Sequence, residues 1–343
     1  MWLSGWQYRK KITIQGSSGA GTNYPVLLKV GESSGSVGAN FHLEGHSANF
    51  PSGKNQSGDI RFTSGDGATL LSFWVENVVG TAPNRVAYIW VKVADNLDTN
   101  KDVYCYYGNP NTGNASNIKT TFVSGDDFDD NSIDTSIWTE VDTYNRLNET
   151  NGRIEISNPH NINEGTWDKY IKTINSLNSG IAIAEAFLDW TVPTTQEAVN
   201  GLIVFFDTNN FARIISRSNV AGEYRLQIIS NGTVVYNNEN TGVSRGKRIR
   251  IRYNFSTNQI DFWYQDNNLN WVQMGTTQTY NLGTTCYGMI YGVDATTFNG
   301  ANLGIFDDFV FRRAVSPEPS FSSAGAEEVS INTAVIRRRL LIK

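Results

Sequence analysis

Two acidic segments carry side chains of the type that binds hard metal ions. The first contains Asp127, Asp129 and Asp130, and the second contains Asp307 and Asp308. Calcium takes about six to eight oxygen ligands, which clustered aspartates and turn carbonyls can supply. If the two segments meet in the fold, we expect the five carboxylates to gather around one structural calcium ion, and no other cofactor is required. The alternative interpretation is that they are caps and exposed charges at strand ends.

Exposed aromatic rings are the second kind of candidate, because sugar rings stack on flat apolar faces while polar neighbours bond the hydroxyls. The chain has 9 Trp, 15 Tyr and 17 Phe, and most side chains of this size pack in cores. Trp167 and Trp271 differ in standing in or beside loops that contain Gly or Asn. We therefore predict these two as glycan-binding residues, with core packing as the alternative.

The histidines predict neither a metal centre nor a catalytic triad. His42 and His46 are four residues apart, but they lie in a stretch rich in Gly, Ser and Asn, and His160 stands alone. The Glu-x-x-His context of zinc proteases is missing around them. All three are predicted to be ordinary loop residues.

The composition predicts an all-β chain with two hydrophobic cores. At 343 residues the chain is too long for one ordinary core. Aromatic and β-branched residues favour strands, and the 31 glycines with many Asn, Thr and Ser favour the turns between them. The net charge of −5 argues against nucleic acid as a partner, since that binding depends on neutralising phosphates.

Three further features concern the cellular setting. Cys105 and Cys286 are too few for a disulfide framework and are predicted to be buried thiols. No apolar run approaches the roughly 20 residues of a transmembrane helix. The first residues lack the basic and apolar regions of a signal peptide. We expect either a trimmed signal or another route to a surface, such as assembly into a virus particle.

Short segments with alternating polarity predict two tandem antiparallel β-sandwiches of jelly-roll type. Within residues 85–93, for example, the alternate positions from Ala87 to Val93 form the cleaner apolar face. The predicted boundaries are a first sandwich at residues 1–122, a second at 123–315, and a C-terminal tail at 316–343. The tail begins as an extended linker, because Pro317 and Pro319 fix the backbone there.

About the first 120 residues resemble an uncharacterised family, a domain of unknown function found in bacterial and archaeal surface proteins and some viral structural proteins. The motifs that carry the resemblance are, in order, WQYRKKITI (6–14), NYPVLL (23–28), DIRFT (59–63), IWVKV (89–93) and YYGN (106–109). The resemblance implies a β-sandwich in an extracellular or particle-surface setting. It brings no catalytic residues.

The second block resembles the concanavalin A-like lectin and glucanase superfamily. The resemblance rests on DDFDDN (126–131) followed by Trp138, and on GIFDDFVFRR (304–313). It implies that the first and last strands of this sandwich are neighbours, so that the two acidic segments meet. The motifs are weak singly, and their order carries the resemblance.

The same resemblance makes glycoside hydrolysis an alternative, which needs two carboxylates about 5 Å apart in retaining enzymes. Glucanases of this fold place their acids as Glu-x-Asp-x-Glu on one strand. Here Glu140 and Asp142 are followed by Tyr144 where the third acid should stand. Glu185 and Asp189 have the wrong spacing. We interpret both pairs as solvated charges and predict a protein that is not an enzyme.

The end of the chain is apolar and basic. Val335, Leu340 and Ile342 are suited to adding an edge strand to a neighbour, with backbone hydrogen bonds supplying affinity. Arg337, Arg338 and Arg339 would pair with an acidic surface. We therefore predict an assembly tail that contacts other subunits rather than a membrane anchor.

Two functions follow from these features. The first is a structural or decoration protein of a virus particle or cell-surface assembly, which displays a lectin-like sandwich and binds glycans for adhesion. The second is a secreted carbohydrate-binding adhesin. They differ in whether the tail or the second sandwich supplies the main interaction, and a glycoside hydrolase ranks behind both.

Overall fold

The computed structural model describes residues 1–157, 167–190, 199–217, 223–239, 241–293 and 303–330. The chain separates into two compact units. The first contains Met1–Phe122 and the chain from Val315 onward, and the second is Val123–Ala314. Both consist almost entirely of antiparallel β-strands, so the predicted all-β sandwich fold is confirmed.

The first unit is built from two sheets. Its elements are β1 (Tyr8–Gln15), β2 (Tyr24–Gly31), β3 (Phe41–His42), β4 (Arg61–Ser64), β5 (Phe73–Val79), β6 (Val86–Val93), β7 (Lys101–Tyr107), the helix α1 (Ile118–Thr121) and, after the second unit, β23 (Ser320–Val329). Sheet A has the order β23-β1-β7-β4, and sheet B has the order β3-β2-β6-β5. Alternate residues of β6 from Ala87 to Val93 are fully buried, as the pattern predicts.

The strand β23 is the main departure from the predicted organisation. Residues 316–343 were expected to form a linker and tail, yet Ser320–Val329 pairs with β1 along its length, from Tyr8↔Val329 to Gln15↔Ser320. Phe321 and Val329 pack against the core of the first unit. Pro317 and Pro319 precede the strand, so they limit its start but do not prevent the pairing. The second unit is therefore inserted into the sequence of the first.

The second unit is a two-sheet sandwich. Its strands are β8 (Ser124–Asp126), β9 (Trp138–Asp142), β10 (Leu147–Thr150), β11 (Arg153–Ser157), β12 (Lys169–Thr173), β13 (Ile181–Trp190), β14 (Val199–Asp207), β15 (Asn210–Arg217), β16 (Tyr224–Ser230), β17 (Thr233–Asn238), β18 (Lys247–Asn254), β19 (Gln259–Gln265), β20 (Trp271–Thr279), β21 (Tyr287–Val293) and β22 (Leu303–Ala314). Sheet C has the order β10-β11-β22-β13-β18-β19-β20, with β8 also beside β22, and sheet D has the order β17-β16-β15-β14-β21-β12-β9.

The core of the second unit lies between sheets C and D. It receives alternate residues of each strand, such as Ala184 and Leu188 from β13 and Leu202 and Val204 from β14. Because successive side chains point to opposite faces, the intervening residues lie on the outer faces of the sandwich. Ile203 and Phe205, for example, belong to a separate cluster on the outside of sheet D.

The first and last strands of the second unit are neighbours, as predicted. β8 pairs with β22 through Asp126↔Phe309 and Ser124↔Phe311. This pairing also brings the two ends of the unit close together. Cys105 and Cys286 are both buried and unpaired, as expected for thiols that act as small apolar residues.

Candidate functional site

The two tryptophans predicted to bind glycans lie on different sheets. Trp167 precedes β12 and packs on the outer face of sheet D, where its ring centroid is 5.4 Å from Phe205 and 5.3 Å from Phe211. Trp271 begins β20 at the edge of sheet C, with the Arg250 guanidinium 3.7 Å from its ring centroid. The two residues therefore cannot contribute to one sugar site.

The outer face of sheet D carries a cluster of rings around Trp167, which we call the aromatic face. Its members are Trp167, Tyr170, Phe205, Phe211, Tyr287 and Tyr291. Phe205, Phe211 and Tyr291 form a buried floor. Trp167, Tyr170 and Tyr287 remain half-buried, so parts of their rings face solvent. Half-exposed rings over a rigid sheet are the arrangement that a sugar ring can stack on.

A glycine shapes this floor. A Cβ on Gly201 of β14 would lie 2.4 Å from Cε1 of Tyr291, which stands opposite it on β21. The absence of a side chain at Gly201 therefore lets the Tyr291 ring lie across β14. From that position the Tyr291 hydroxyl accepts a hydrogen bond from Arg213 Nη1, on the far side of β14, at 2.7 Å.

Beside the rings runs a row of polar side chains from β15 to β17. Arg213 donates from Nε and Nη2 to Gln227 Oε1 at 2.9 and 2.7 Å. Gln227 Nε2 in turn donates to Asn237 Oδ1 at 3.2 Å. Burial raises the pKa of Tyr291, although Arg213 acts in the opposite direction. The phenol therefore stays protonated and accepts from Arg213 as a neutral group.

A lysine completes the face. Lys172 of β12 places its ammonium 4.2 Å from the Tyr287 ring centroid and 5.9 Å from that of Phe205. A cation over a ring face is attracted by the ring quadrupole, by about 0.5–1 kcal/mol at an exposed site. Lys172 and Arg213 are thus cations held against the same cluster of rings.

The acidic residues weighed for hydrolysis lie elsewhere. Asp142, at the end of β9, accepts the backbone N–H groups of Arg146 and Leu147 at 2.8 Å each, so it holds a turn. Glu140 is exposed on the same edge strand, and partial burial followed by the charge of Asp142 raises its pKa. Neither residue lies on the outer face of sheet D, because alternation places both on the side of β9 that carries the core residue Trp138.

The structure corrects the interpretation of Glu185 as a solvated charge. It was expected to be solvated, but it is 1% exposed on the outer side of β13. Arg250 Nη2 lies 2.8 Å from its carboxylate, and Arg248 and Arg312 lie at 3.4 and 3.6 Å. Burial alone would raise the pKa of Glu185, yet the three arginines together hold it below its ordinary value. The sequence of β13 could not predict this cluster, because the arginines come from two other strands, β18 and β22.

The two acidic segments meet, but they do not form a recognisable cation site. Asp126 is fully buried and accepts the Trp138 indole N–H at 2.8 Å and the Phe128 N–H at 3.2 Å. Asp308 lies 3.9 Å from Arg248 Nη1. Burial, then Asp129 and Asp126, raise the pKa of Asp127.

Further members of this acidic group make local contacts. Asp130 accepts from the Ser132 N–H at 3.3 Å, and Asp307 from the Asp308 N–H at 2.7 Å. Within the described parts of the chain, no three His, Cys, Asp or Glu side chains are grouped as metal ligands. The calcium site stays a prediction.

The histidines occupy the first unit. His46 stacks on Tyr8, with ring centroids 4.7 Å apart, and pairs with Glu327 of β23 at 2.8 Å. His42 lies on β3. His160 and the tail residues Val335, Arg337, Arg338, Arg339, Leu340 and Ile342 lie outside the described residues. In the described chain, no helix is long and apolar enough to cross a membrane.

Comparison with known proteins gives one family match. The family described as "Domain of unknown function (DUF2341)" matches residues 56–141, less than half of the chain. The match includes three of the five motifs on which the resemblance of the first sandwich to a domain of unknown function rests, those at 59–63, 89–93 and 106–109. No curated protein matches the chain.

Several solved structures resemble the chain at low identity. The GH43 BlXynB protein from Bacillus licheniformis is 16% identical with a TM-score of 0.41, over 71% of this chain and 46% of that protein. A β-glucanase from Bacillus licheniformis is 13% identical with a TM-score of 0.38, over 55% of this chain and 96% of that protein. A lichenase from a mouse hindgut metagenome is 11% identical with a TM-score of 0.38, covering 55% and 97%. The chain therefore spans about half the length of the GH43 protein.

Proposed function

We propose that the second unit is a carbohydrate-binding module of a non-enzymatic surface protein, and that sugars bind on the aromatic face of sheet D. The observation that carries the proposal is the half-buried Trp167, Tyr170 and Tyr287 beside the polar row of Arg213 and Gln227. Rings supply stacking, and the amide and guanidinium groups supply hydrogen bonds to hydroxyls. A rigid sheet keeps both in place without an ordering cost at binding.

The side chains on this face favour binding over hydrolysis. The outward residues of β12, β21 and β15 that the structure describes are aromatic, aliphatic or cationic. Asp207 ends β14, and its carboxylate is held by the Asn209 N–H and the Asn210 side chain at 2.7 and 3.1 Å. A retaining hydrolase needs two carboxylates about 5 Å apart on the face that holds the sugar. The described face supplies no such pair.

A pair of tryptophan variants tests the site. Binding of the full chain to a panel of neutral and acidic polysaccharides is measured for Trp167→Ala and for Trp271→Ala as the matched control. We expect Trp167→Ala to lower affinity at least tenfold, because it removes the central ring of the face, and Trp271→Ala to leave affinity within twofold. Thermal unfolding of each variant checks that the sandwich is intact. Equal losses in both variants, or binding by neither the variants nor the wild type, would contradict the proposal.

We also propose display on a particle or cell surface, with residues 331–343 as the attachment arm. Support comes from the segment that leads into the arm: β23 belongs to sheet A, and the Ser330 N–H donates to the Gln7 carbonyl at 2.9 Å. The arm thus starts from a folded strand rather than from a free linker.

Truncation after Ser330 tests the arm and keeps β23. Loss of surface retention or of assembly with unchanged unfolding temperature is the expected result. Full retention by the truncated chain would rule out the arm.

A further inference from the structure

The aromatic face carries two positive charges that no described carboxylate neutralises. Two partly buried arginines of the first unit, by contrast, each face an acid: Arg9 pairs with Glu328 at 2.7 Å and Arg85 with Glu32 at 2.7 Å. On the aromatic face, the described contacts of Lys172 are the rings of Tyr287 and Phe205. Those of Arg213 are also neutral groups.

Arg213 retains unused donors. Its guanidinium has five N–H groups, of which three bond Gln227 and Tyr291. Two N–H groups are therefore left on a side chain that Gln227 and Tyr291 hold in place. A planar guanidinium fixed in this way suits a planar anion such as a carboxylate.

Lys172 and Arg213 each lie near a phenylalanine ring that packs against Trp167. Lys172 lies over Phe205, Arg213 lies 5.4 Å from the Phe211 ring centroid, and Trp167 packs against both of those phenylalanines. A sugar stacked on Trp167 would thus have a cation on each side. Hydrogen bonds between ionised partners are roughly twice as strong as neutral ones.

We propose that the ligand of the aromatic face is an anionic glycan, whose carboxylate or sulfate groups pair with Lys172 and Arg213. This inference rests on the proposed carbohydrate-binding function and narrows it to one substrate class. The net charge of the chain is −5, so the molecule as a whole repels polyanions. Binding of an acidic polysaccharide must then come from a local cationic site.

The test compares pairs of polysaccharides that share a backbone and differ in charge. Affinity of the full chain is measured for polygalacturonic acid and its methyl-esterified form, and for dextran sulfate and dextran. We expect at least one acidic member to bind at least tenfold more tightly than its neutral partner, with affinity falling as salt rises. Comparing the two pairs of polymers shows whether the face prefers a carboxylate or a sulfate.

Variants that remove one positive charge show which residues cause the preference for acidic polymers. Lys172→Gln and Arg213→Gln should each reduce affinity for the acidic polymer at least fivefold and lower affinity for the neutral partner by a smaller factor. Lys247→Gln, which removes a charge from β18 of sheet C, is the control and should change neither.

The failures can be told apart. If neutral and acidic polymers bind equally, the anionic inference is wrong while carbohydrate binding stands. If no polysaccharide binds, both fail. If Lys247→Gln weakens binding as much as Lys172→Gln, the attraction is diffuse and the assignment to this face is wrong.

Discussion

The buried carboxylate of Glu185 holds together a cluster of charges in the second unit. Three arginines surround it, and it is 1% exposed. Removing one partner of a buried ion pair leaves charges uncompensated, at a cost of about 3–5 kcal/mol.

We expect Glu185→Gln to lower the free energy of unfolding of the second unit by roughly that amount, about 3–5 kcal/mol, measured by urea unfolding. Glu239→Gln is the matched control. It removes the same charge from an arginine pair, Arg225–Glu239 at 3.0 Å, but Glu239 is 50% exposed. An exposed pair contributes about 1 kcal/mol or less. Similar losses in the two variants would show that burial of Glu185 has no special effect.

Glu149 predicts a dependence on pH. Burial, together with Asp130 and Asp126, raises the pKa of Glu149 from an ordinary 4.5 to about 7. Between these two values the folded chain holds a proton that the unfolded chain has released. The free energy of unfolding therefore falls as the pH rises through this window.

Glu149→Gln cannot release a proton, so it should remove this part of the pH dependence. The expected result is a smaller loss of stability between pH 5 and pH 8 than in the wild type, from urea unfolding at both pH values. An unchanged loss would show that another group causes it.

Residue types were easier to predict than their surroundings. Trp167 and Trp271 look alike in sequence, since both stand at loop edges, yet they lie on opposite sheets. Asp126 was not singled out, although its contact with the Trp138 indole makes it a buried anchor. Such roles depend on strand pairing between distant segments, which local sequence does not encode.

At the scale of elements, β23 shows what alternation can and cannot reveal. β1 and β6 alternate because one face of each is buried, and the alternating segment at 85–93 predicted β6 within one residue of its bounds. β23 is exposed over most of its length, with small residues from Ser322 to Ala326, so it has no apolar stripe. Its strand conformation depends on pairing with β1, which is far away in sequence.

Deleting residues 320–343 should destabilise the first unit. The deletion exposes the edge of β1 and removes Phe321 and Val329, which are partly buried and pack against the core. Full burial of such a side chain contributes about 1.5–3 kcal/mol, so each of these two contributes less. Thermal unfolding is the measurement, with deletion of 331–343 alone as the control. If the two truncated chains unfold at the same temperature, β23 does not stabilise the sandwich.

At the scale of the whole molecule, the sequence predicted two sandwiches in tandem, while the structure inserts one into the other. Both cores were foreseeable from apolar alternation. The insertion was not, because it depends on which edge strand closes sheet A. The adjacent ends of the second unit, where β8 pairs with β22, make such an insertion geometrically simple.

The second unit should therefore fold alone. A chain limited to residues 123–314 keeps sheets C and D complete, and we expect one cooperative unfolding transition that matches one of the two transitions of the full chain. A chain limited to residues 1–122 lacks β23 and should unfold at a lower temperature than the first unit of the full chain. A non-cooperative transition for residues 123–314 would contradict this division.

The pairing of β1 with β23 also determines how the chain would respond to a pulling force. Tyr8 and Val329 are partners at the same end of an antiparallel ladder. Tension between them would open the hydrogen bonds one after another, which takes less force than shearing them all at once. The second sandwich would carry load only after β23 had peeled away. Under tension applied between Tyr8 and Val329, β23 would thus separate from β1 before the second sandwich begins to unfold.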